Sequence, residues 1–369
     1  MDYRVEEIES ERAEVDFLDL PEKIYRGDAN WVAPIKAEVR RVLDSDKNPY
    51  FSEACLRRFI CYRSAEPVAR AAVVIDKRYW LRWGTKAATF GYFESEDDPE
   101  AADVLFGAVE RYCREWGAEV LEGPFNPNHY SEVGMLIGPF DSPPRFFEPY
   151  NPAYYPKLLE DLGYRVQKRL HTRSNRWMST ERTVGVSNPG LTSPGGGFTI
   201  RPFDLRRMSG DLERMRQVFN DAFLENWHFL PLSKEEYRFT SKYLFFVTQP
   251  RLVLIVERGR EPVGVLSCAL NINTVLQPYR GESRTWQYPE LLWKRRSIQE
   301  IIVYAAGIKR QYRGTDVREH MRNAMFDITR RYPLVATTWM TDDNVPPLRE
   351  TSRWGLRPDR WFAIYEKAL

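Results

Sequence analysis

The spacing of hydrophobic residues alternates between helical and strand patterns, and one order of elements occurs twice along the chain. In the first half the pattern predicts helices within 16–28 and 30–51, strands at 56–62, 67–76 and 87–94, a helix at 97–116, a strand at 118–123 and a helix at 154–162. In the second half it predicts helices at 211–222 and 234–245, strands at 252–257 and 262–270, a central strand at 297–306, a helix at 317–331, a strand at 334–339, a helix at 347–354 and a last strand at 361–366. This order predicts an α/β fold with two mixed sheets, each flanked by helices.

Two short matches support the internal repeat. Glu66-Pro67-Val68-Ala69 recurs as Glu261-Pro262-Val263-Gly264, and Leu162-Gly163-Tyr164-Arg165 is echoed by Trp354-Gly355-Leu356-Arg357 at nearly the same displacement. Between the halves, the segment SNPGLTSPGGG has the composition of a linker. We therefore expect an N-terminal domain at 1–186, a linker at 187–197 and a C-terminal domain at 198–369.

Composition narrows the functional classes. A chain of 369 residues with 43% hydrophobic and 14% aromatic residues can fill two folded cores. The net charge of +2 offers no general electrostatic footprint for nucleic acid. The four cysteines show no metal-binding spacing and lie in apolar runs, so we expect reduced core residues and no metal site. No apolar run resembles a signal peptide or a membrane span, which favours a soluble, cytoplasmic protein.

The most informative stretch is the central strand, the turn after it and the following helix. The strand ends in a basic turn that contains Gly314, and a helical pattern begins near Val317. Free backbone N–H groups at a helix start suit a phosphate, and Lys309, Arg310 and Arg313 would add charge-assisted contacts. The turn is thus predicted to bind an anion, such as a phosphorylated cofactor, although an ordinary solvated basic turn would look the same.

Residues 307–314, GIKRQYRG, resemble the strand–loop–helix core of the GNAT superfamily of N-acyltransferases, in which a Q/R-x-x-G-x-G/A loop holds the pyrophosphate of acyl-CoA. Gln311 and Gly314 match this loop, whereas Asp316 stands where the family has Gly or Ala. The resemblance implies acyl-CoA or acetyl-CoA as co-substrate, with Asn344 on the pantetheine arm and the backbone near 303–307 supplying an oxyanion site. The cofactor contacts expected on this basis are Val303, Ala305, Gln311, Tyr312, Arg313, Gly314, Thr315, Asp316 and Asn344.

The resemblance extends over nearly the whole chain to a bacterial group of double-GNAT proteins. The matching phrases lie at 28–32, 47–51, 91–94, 123–126, 141–144, 150–152 and 226–227. Some proteins similar to this group are bacterial ceramide synthases, which transfer a fatty acyl group to a long-chain amine. The resemblance therefore implies a small-molecule or lipid-like amine acceptor and leaves peripheral membrane contact and oligomeric state open.

Three residues are candidates for acid–base catalysis. Alternation along the central strand places Glu300 among apolar neighbours, where desolvation would raise its pKa, and the alternative is a strand-end carboxylate that faces water. The long polar segment 123–141 is either functional or a cover, and offers His129 and Glu132. The residues expected to bind the acceptor are Asn126, Asn128, Tyr130, Asn226, Trp227 and His228, although His228 beside aromatic residues has the alternative of a structural role.

The sequence leaves more than one function open. The first is an N-acyltransferase that moves an acyl group from acyl-CoA to an amine by direct attack, with the C-terminal half binding acyl-CoA. A non-catalytic GNAT-like binding protein is the alternative, favoured by Asp316 and by the lack of a Tyr acid after Asn344. A third, transfer from aminoacyl-tRNA, would need a continuous basic groove that the net charge does not indicate.

Overall fold

The computed structural model describes residues 2–176, 197–282 and 287–369. Within these ranges, 14 strands form one mixed sheet with helices on its faces, and two further strands form a small separate sheet. The α/β class and the two repeated halves predicted from the sequence are confirmed. Apart from Gly197, the predicted linker at 187–197 lies outside the described residues.

The first half contains nine strands and five α-helices in its described residues. The strands are β1 (Tyr3–Glu7), β2 (Ala54–Arg63), β3 (Glu66–Asp76), β4 (Ala87–Ser95), β5 (Val120–Gly123), β6 (Phe125–Asn126), β7 (Glu132–Val133), β8 (Met135–Gly138) and β9 (Arg165–Arg176). The helices are α1 (Glu11–Ile24), α2 (Lys36–Val42), α3 (Lys77–Trp83), α4 (Pro99–Glu115) and α5 (Tyr155–Asp161).

The second half repeats this order. Its strands are β10 (Phe198–Pro202), β11 (Val253–Arg258), β12 (Glu261–Leu270), β13 (Glu300–Ile308), β14 (Leu334–Thr337), β15 (Met340–Thr341) and β16 (Arg357–Ala368). Its helices are α6 (Met208–Ala222), α7 (Lys234–Val247), α8 (Asn273–Leu276), α9 (Gln287–Lys294), α10 (Val317–Thr329) and α11 (Val345–Arg353). The hydrophobic pattern did not predict β1, α3, α8, α9 or β6 to β10, and the last strand is longer at both ends than predicted.

The bounds of α4 were predicted accurately from the sequence, and local signals at its two ends explain why. Asp98 caps α4 by accepting a hydrogen bond from Ala101 N over 3.1 Å, and Pro99 occupies the first turn, where its missing N–H is not needed. The helix ends before Gly117, whose φ of +82° is a left-handed conformation that suits glycine. Its apolar face, including Leu105 and Phe106, packs in the core of the first half.

The two halves exchange their last strands. The order of the large sheet is β1-β2-β3-β4-β5-β16-β9-β14-β13-β12-β11-β10, with β8 beside β16 and β15 beside β9. The C-terminal strand β16 therefore pairs with β5 of the first half, and β9 of the first half pairs with β14 of the second. Because β16 and β9 also pair with each other, the sheet continues across both halves.

Each half has its own hydrophobic core, one around Phe90 and Phe106 and one around Ile301, Ile302 and Val317. The three buried cysteines Cys61, Cys113 and Cys268 and the half-buried Cys55 are free thiols, as expected. Among the described residues, no helix combines the length and apolarity that a membrane crossing requires.

Candidate active site

A cavity of about 1350 Å³ lies between the halves. The second half lines it with β13, the turn before α10 and the segment from β14 to α11, and the first half lines it with the end of β4 and residues 124–135. Much of its wall is apolar, including Phe146, Phe147, Met215, Phe219, Phe223, Trp227, Met321 and Met325. A cavity of this size exceeds the roughly 300–1000 Å³ of most small-molecule sites.

On the second-half side, the cavity opens where β13 and β14 diverge. The two strands pair in parallel from Glu300 to Val303, and β13 then continues to Ile308 without β14. A bulge opposite Ser267 and Cys268 leaves Tyr304 out of the β12 ladder. The backbone of β13 beyond Val303 therefore has an edge without a neighbouring strand, and this edge borders the cavity.

The predicted anion loop reaches the cavity through its glycine and one arginine. Gly314 has a φ of +93°, and a Cβ built there would meet no atom within 4 Å, so the backbone is open to a ligand. Arg313 also lines the cavity, with its Nη2 donating to Ala222 O over 2.6 Å. Arg318 and Arg322 follow on the cavity face of α10 and share Glu350 as ion-pair partner.

Asp316 takes the N-cap position of α10 without making a capping hydrogen bond. Its carboxylate lies 3.6 Å from His320 Nε2 one turn further on, and is largely exposed. The side chain of Asp316 therefore does not cap the first N–H groups of α10.

Other residues of the predicted loop serve as its scaffold. Glu261 binds three of its side chains, accepting from Gln311 Nε2 over 3.0 Å, Tyr312 Oη over 2.8 Å and Lys309 Nζ over 3.1 Å. Thr315 Oγ1 donates to Tyr312 O within the turn. Since these groups are held by the protein, Gln311, Tyr312 and Thr315 shape the loop, and the side that borders the cavity belongs to Arg313 and Gly314.

Val303, Ala305 and Asn344 all line the same cavity. Val303 O accepts from Thr338 N over 3.2 Å at the point where the strands separate. Asn344 lies at the N-cap of α11, but its side chain makes no capping hydrogen bond. Asn344 therefore borders the cavity, and its contact with the pantetheine arm stays a prediction.

Glu300 lies elsewhere, at the opposite end of β13. Its Oε1 accepts from Arg145 Nε over 2.5 Å and its Oε2 accepts from Asn271 Nδ2 over 2.6 Å. Arg145 also binds Glu148 and Asp359, so Glu300 is one member of a half-buried ionic junction. Both its oxygens are occupied and it does not border the cavity, which gives the role of general base no geometric support.

Glu132, in contrast, faces the cavity from the first half. Asn126 Nδ2 donates to Glu132 Oε2 over 3.2 Å, while Asn126 Oδ1 accepts from Tyr92 N over 2.6 Å. The carboxylate is accessible from inside the cavity yet surrounded by protein, and this desolvation raises its pKa above the ordinary value, partly offset by the hydrogen bond from Asn126. A carboxylate whose pKa is raised is a stronger base than an ordinary glutamate.

The first half has no equivalent gap at its own diverging strands. β6 fills that place, because Gly91 lies so close to Phe125 O that an added Cβ would come within 1.8 Å of it. Asn126 then satisfies Tyr92 N, whose residue has a left-handed φ of +50°. In the first half, β6 therefore occupies the position that corresponds to the open gap between β13 and β14 in the second half.

The two polar loops singled out in the sequence meet. His129 Nε2 lies 3.1 Å from His228 Nδ1, and Trp227 stacks on His228 with ring centroids 3.9 Å apart. Tyr130 Oη accepts from Leu230 N over 2.9 Å, which joins the loops a second time. Two predicted residues remain. Asn128 Oδ1 accepts a hydrogen bond from Tyr130 N and so stabilises the turn in which it lies, and Asn226 lines the cavity beside Trp227.

Burial lowers the pKa of both imidazoles well below the usual range, that of His129 to about 3. Both rings are therefore neutral at physiological pH. Beside them lies Glu122 of β5, whose pKa burial raises to about 8, with an opposing hydrogen bond from Gln167. Sequence reasoning missed Glu122 because a single carboxylate inside a four-residue strand carries no signal of its partners.

Arg318 and Arg322 were also missed. Their i, i+4 spacing one turn after Gly314 would have placed both on one face of the predicted helix.

Comparison with known proteins agrees with this architecture. No family model matches the chain. A bacterial ceramide synthase from Caulobacter vibrioides (strain NA1000 / CB15N) is 28% identical over 364 residues, covering 96% of this chain and 94% of that protein. Protein YghO of Escherichia coli (strain K12) is 26% identical over 365 residues, covering 96% and 92%.

Solved structures match over the full chain. A tandem GNAT protein from the clavulanic acid biosynthesis pathway gives a TM-score of 0.56 at 10% identity, covering 100% of this chain and 98% of that one. A GCN5-related N-acetyltransferase from Sphaerobacter thermophilus gives 0.53 at 14% identity, covering 99% and 95%. The chain has a tandem GNAT fold, as the resemblance in its sequence implied.

Proposed function

We propose that this protein is an acyl-CoA-dependent N-acyltransferase whose acceptor is a lipid-like amine. The observation that carries the proposal is one continuous cavity that reaches both Gly314 at the start of α10 and Glu132 of the first half. The start of α10, which would bind the anion, and a carboxyl with a raised pKa thus border the same space. Acyl transfer to an amine needs both, one to hold the donor and one to accept a proton.

The donor fits the second-half side of the cavity. The open backbone at Gly314 and the guanidinium groups of Arg313 and Arg318 suit the pyrophosphate of acyl-CoA. From there the pantetheine arm would follow the gap between β13 and β14, where its amides can pair with the free strand edge as a further strand would. Asn344 lies beside this path and would bind the same arm.

The chemistry then follows from the groups around the gap. The amine nitrogen attacks the thioester carbonyl and forms the C–N bond, while the backbone N–H groups along the unpaired edge of β13 stabilise the oxyanion. Glu132 accepts the proton that the amine loses, oriented by Asn126. The C–S bond breaks and the proton ends on the departing thiolate, so that the products are an amide and CoA.

The size and lining of the cavity favour a hydrophobic acceptor. About 1350 Å³ exceeds what an acetyl group and a small amine would need, and the walls offer aromatic and Met side chains to an alkyl chain. The full-length similarity to a protein named as a bacterial ceramide synthase supports a long-chain amine as acceptor. The first-half loops would enclose this acceptor.

Calorimetric titration tests the donor half of the proposal. We expect palmitoyl-CoA, below its micelle concentration, and acetyl-CoA both to bind, with palmitoyl-CoA binding more tightly because its chain is buried in the cavity. S-acetyl-pantetheine and S-palmitoyl-pantetheine, which lack the pyrophosphate and the nucleotide, serve as control ligands and should bind more weakly. If neither thioester binds nor raises the melting temperature, the protein is a GNAT-fold binding protein without an acyl-CoA substrate.

A further inference from the structure

A buried cluster at the junction of the halves has no role in the proposed reaction. It consists of Glu122 on β5, His129 in the loop between β6 and β7, and His228 after α6. One carboxylate oxygen and one ring nitrogen from each histidine all lie within 4.8 Å of one another. Glu122 Oε1 lies 3.3 Å from His228 Nδ1, and His129 Nε2 lies 3.1 Å from the same atom.

The outer atoms of two members are held by other side chains. Gln167 Nε2 donates to Glu122 Oε2 over 2.9 Å, and Tyr79 Oη lies 2.8 Å from His228 Nε2. These contacts orient Glu122 Oε1 and His228 Nδ1 toward the centre of the cluster. Metal-ligating histidines and carboxylates are held in this manner by a second layer of hydrogen bonds.

Glu122 provides an independent reason to expect a ligand. The residue is only 1% exposed, and its Oε1 has no hydrogen-bond partner among the described residues. This oxygen lies 3.3 Å from His228 Nδ1 but makes no hydrogen bond of proper geometry with it. A buried oxygen that has lost water and gained no hydrogen bond is unfavourable. A cation at the centre of the cluster would satisfy this oxygen and both ring nitrogens together.

We propose that Glu122, His129 and His228 bind a divalent transition-metal ion of the zinc type. Two imidazoles and a carboxylate are a common donor set for zinc. At Zn–ligand distances of about 2.0–2.2 Å, tetrahedral ligands lie roughly 3.3–3.6 Å apart, close to two of the separations found here. The ligands are dispersed along the chain, which is why no metal spacing is visible in the sequence.

The ion has a structural role, because it joins the two halves and is screened by aromatic rings. Glu122 and His129 belong to the first half and His228 to the second. Phe125 lies 4.3 Å from the ring of His129, and Trp227 stacks on His228 from the other half. The metal would therefore fix the two acceptor-side loops against each other at the wall of the cavity.

The test measures metal binding without acyl-CoA or amine, so its result is separate from that of the acyl-transfer experiments. Chelator-treated, desalted protein is titrated with ZnCl₂ against a competing chromophoric chelator, and metal content is measured by plasma mass spectrometry. The variants are Glu122→Gln and His228→Asn, the latter because Asn tolerates the left-handed φ of +59° at His228. His171→Gln is the matched control, since His171 is a buried histidine bound to Asp342 outside the cluster.

We expect about one zinc ion per chain, a higher melting temperature with zinc, and an affinity reduced at least about 10-fold in both variants but not in the control. Co²⁺ added to the wild type should give visible d–d absorption, which does not depend on variants that fail to fold. Zinc binding that is equal in the wild type and in His228→Asn overturns the proposal. So does a wild type that neither retains zinc nor produces a Co²⁺ spectrum, and the cluster is then a hydrogen-bonded junction.

Discussion

Asn126 Nδ2 donates a hydrogen bond to Glu132 Oε2 over 3.2 Å. The amide is itself fixed, because its oxygen accepts from Tyr92 N over 2.6 Å and its strand lies directly on β4 at Gly91. The orientation of Glu132 in the cavity is thus determined by the backbone of the large sheet. This relationship places the proposed base on a rigid support although it lies in a loop-rich segment.

Replacement of Glu132 by Gln should reduce acylation with little effect on donor binding. The amide has nearly the same shape but accepts no proton, so we expect kcat to fall by about 10²–10⁴-fold. The dissociation constant of acyl-CoA, measured by calorimetry, should stay within error of the wild type. An unchanged rate would assign proton removal to another group or to solvent.

The rate should depend on pH through the same carboxyl. Burial raises the pKa of Glu132, and the base must be ionised, so activity should fall as pH decreases through that raised pKa, above the ordinary value for a glutamate. Asn126→Ala removes the hydrogen bond that lowers this pKa, and should move the acid limb of the profile to higher pH. The measurement is kcat/KM against pH for both proteins. A limb that does not move contradicts the assignment.

Gly314→Glu should weaken acyl-CoA binding by at least about 10-fold, because it adds a carboxylate where the pyrophosphate is expected. The substitution also strains a left-handed backbone position, so the control must carry the same strain. Gly259 has a φ of +63°, open space around it and a place in the β11–β12 turn, away from the cavity. Gly259→Glu should leave the calorimetric affinity unchanged. Equal losses in both variants would indicate general destabilisation.

Arg318→Ala should lower acyl-CoA affinity about 10-fold and reduce its salt dependence, since a guanidinium at the cavity wall attracts the phosphates. Arg331, exposed after the far end of α10, provides the control on the same segment. Titrations at two salt concentrations separate the electrostatic part. If Arg331→Ala lowers the affinity equally, Arg318 contributes only through the overall charge of the protein and does not contact the phosphates.

Glu300→Gln should act on stability and not on donor binding. Arg145 would lose one of three carboxylate partners in a half-buried junction, which we expect to lower the free energy of unfolding by about 1–3 kcal/mol. Urea unfolding measures this, and acyl-CoA titration under native conditions should match the wild type. A large loss of kcat in a fully folded variant would restore Glu300 as a catalytic candidate.

Local pattern predicted most helices and strands but not their exchange between halves. The periodicity of α4, α6 and α10 depends on neighbours in sequence and was visible. The strand that pairs with β5 is β16, which lies more than 200 residues later in the chain. No local signal in the sequence specifies this pairing. The partner of Glu300 was equally hidden. The alternation of residues along β13 indicated that Glu300 is partly buried, but its partner Arg145 lies in a distant loop.

Some of the residues that line the cavity were singled out from the sequence, and their roles stay predictions. Gly314, Asn344, Glu132 and His129 were chosen from turn chemistry and from the resemblance, because each lies in an unusual local stretch. That residues 126–132 and 226–230 meet could not be predicted, since only the packing of the halves brings them together. Glu122 was hidden for the same reason, as its partners come from three other segments.

The most direct test of the account is the release of CoA thiol from palmitoyl-CoA in the presence of a long-chain amine, with the product identified by mass spectrometry. The account predicts amine-dependent thiol release and an N-acylated product, both abolished by boiling and strongly reduced in Glu132→Gln. Release at the uncatalysed rate with every long-chain amine tried, by folded protein that binds palmitoyl-CoA, would contradict it.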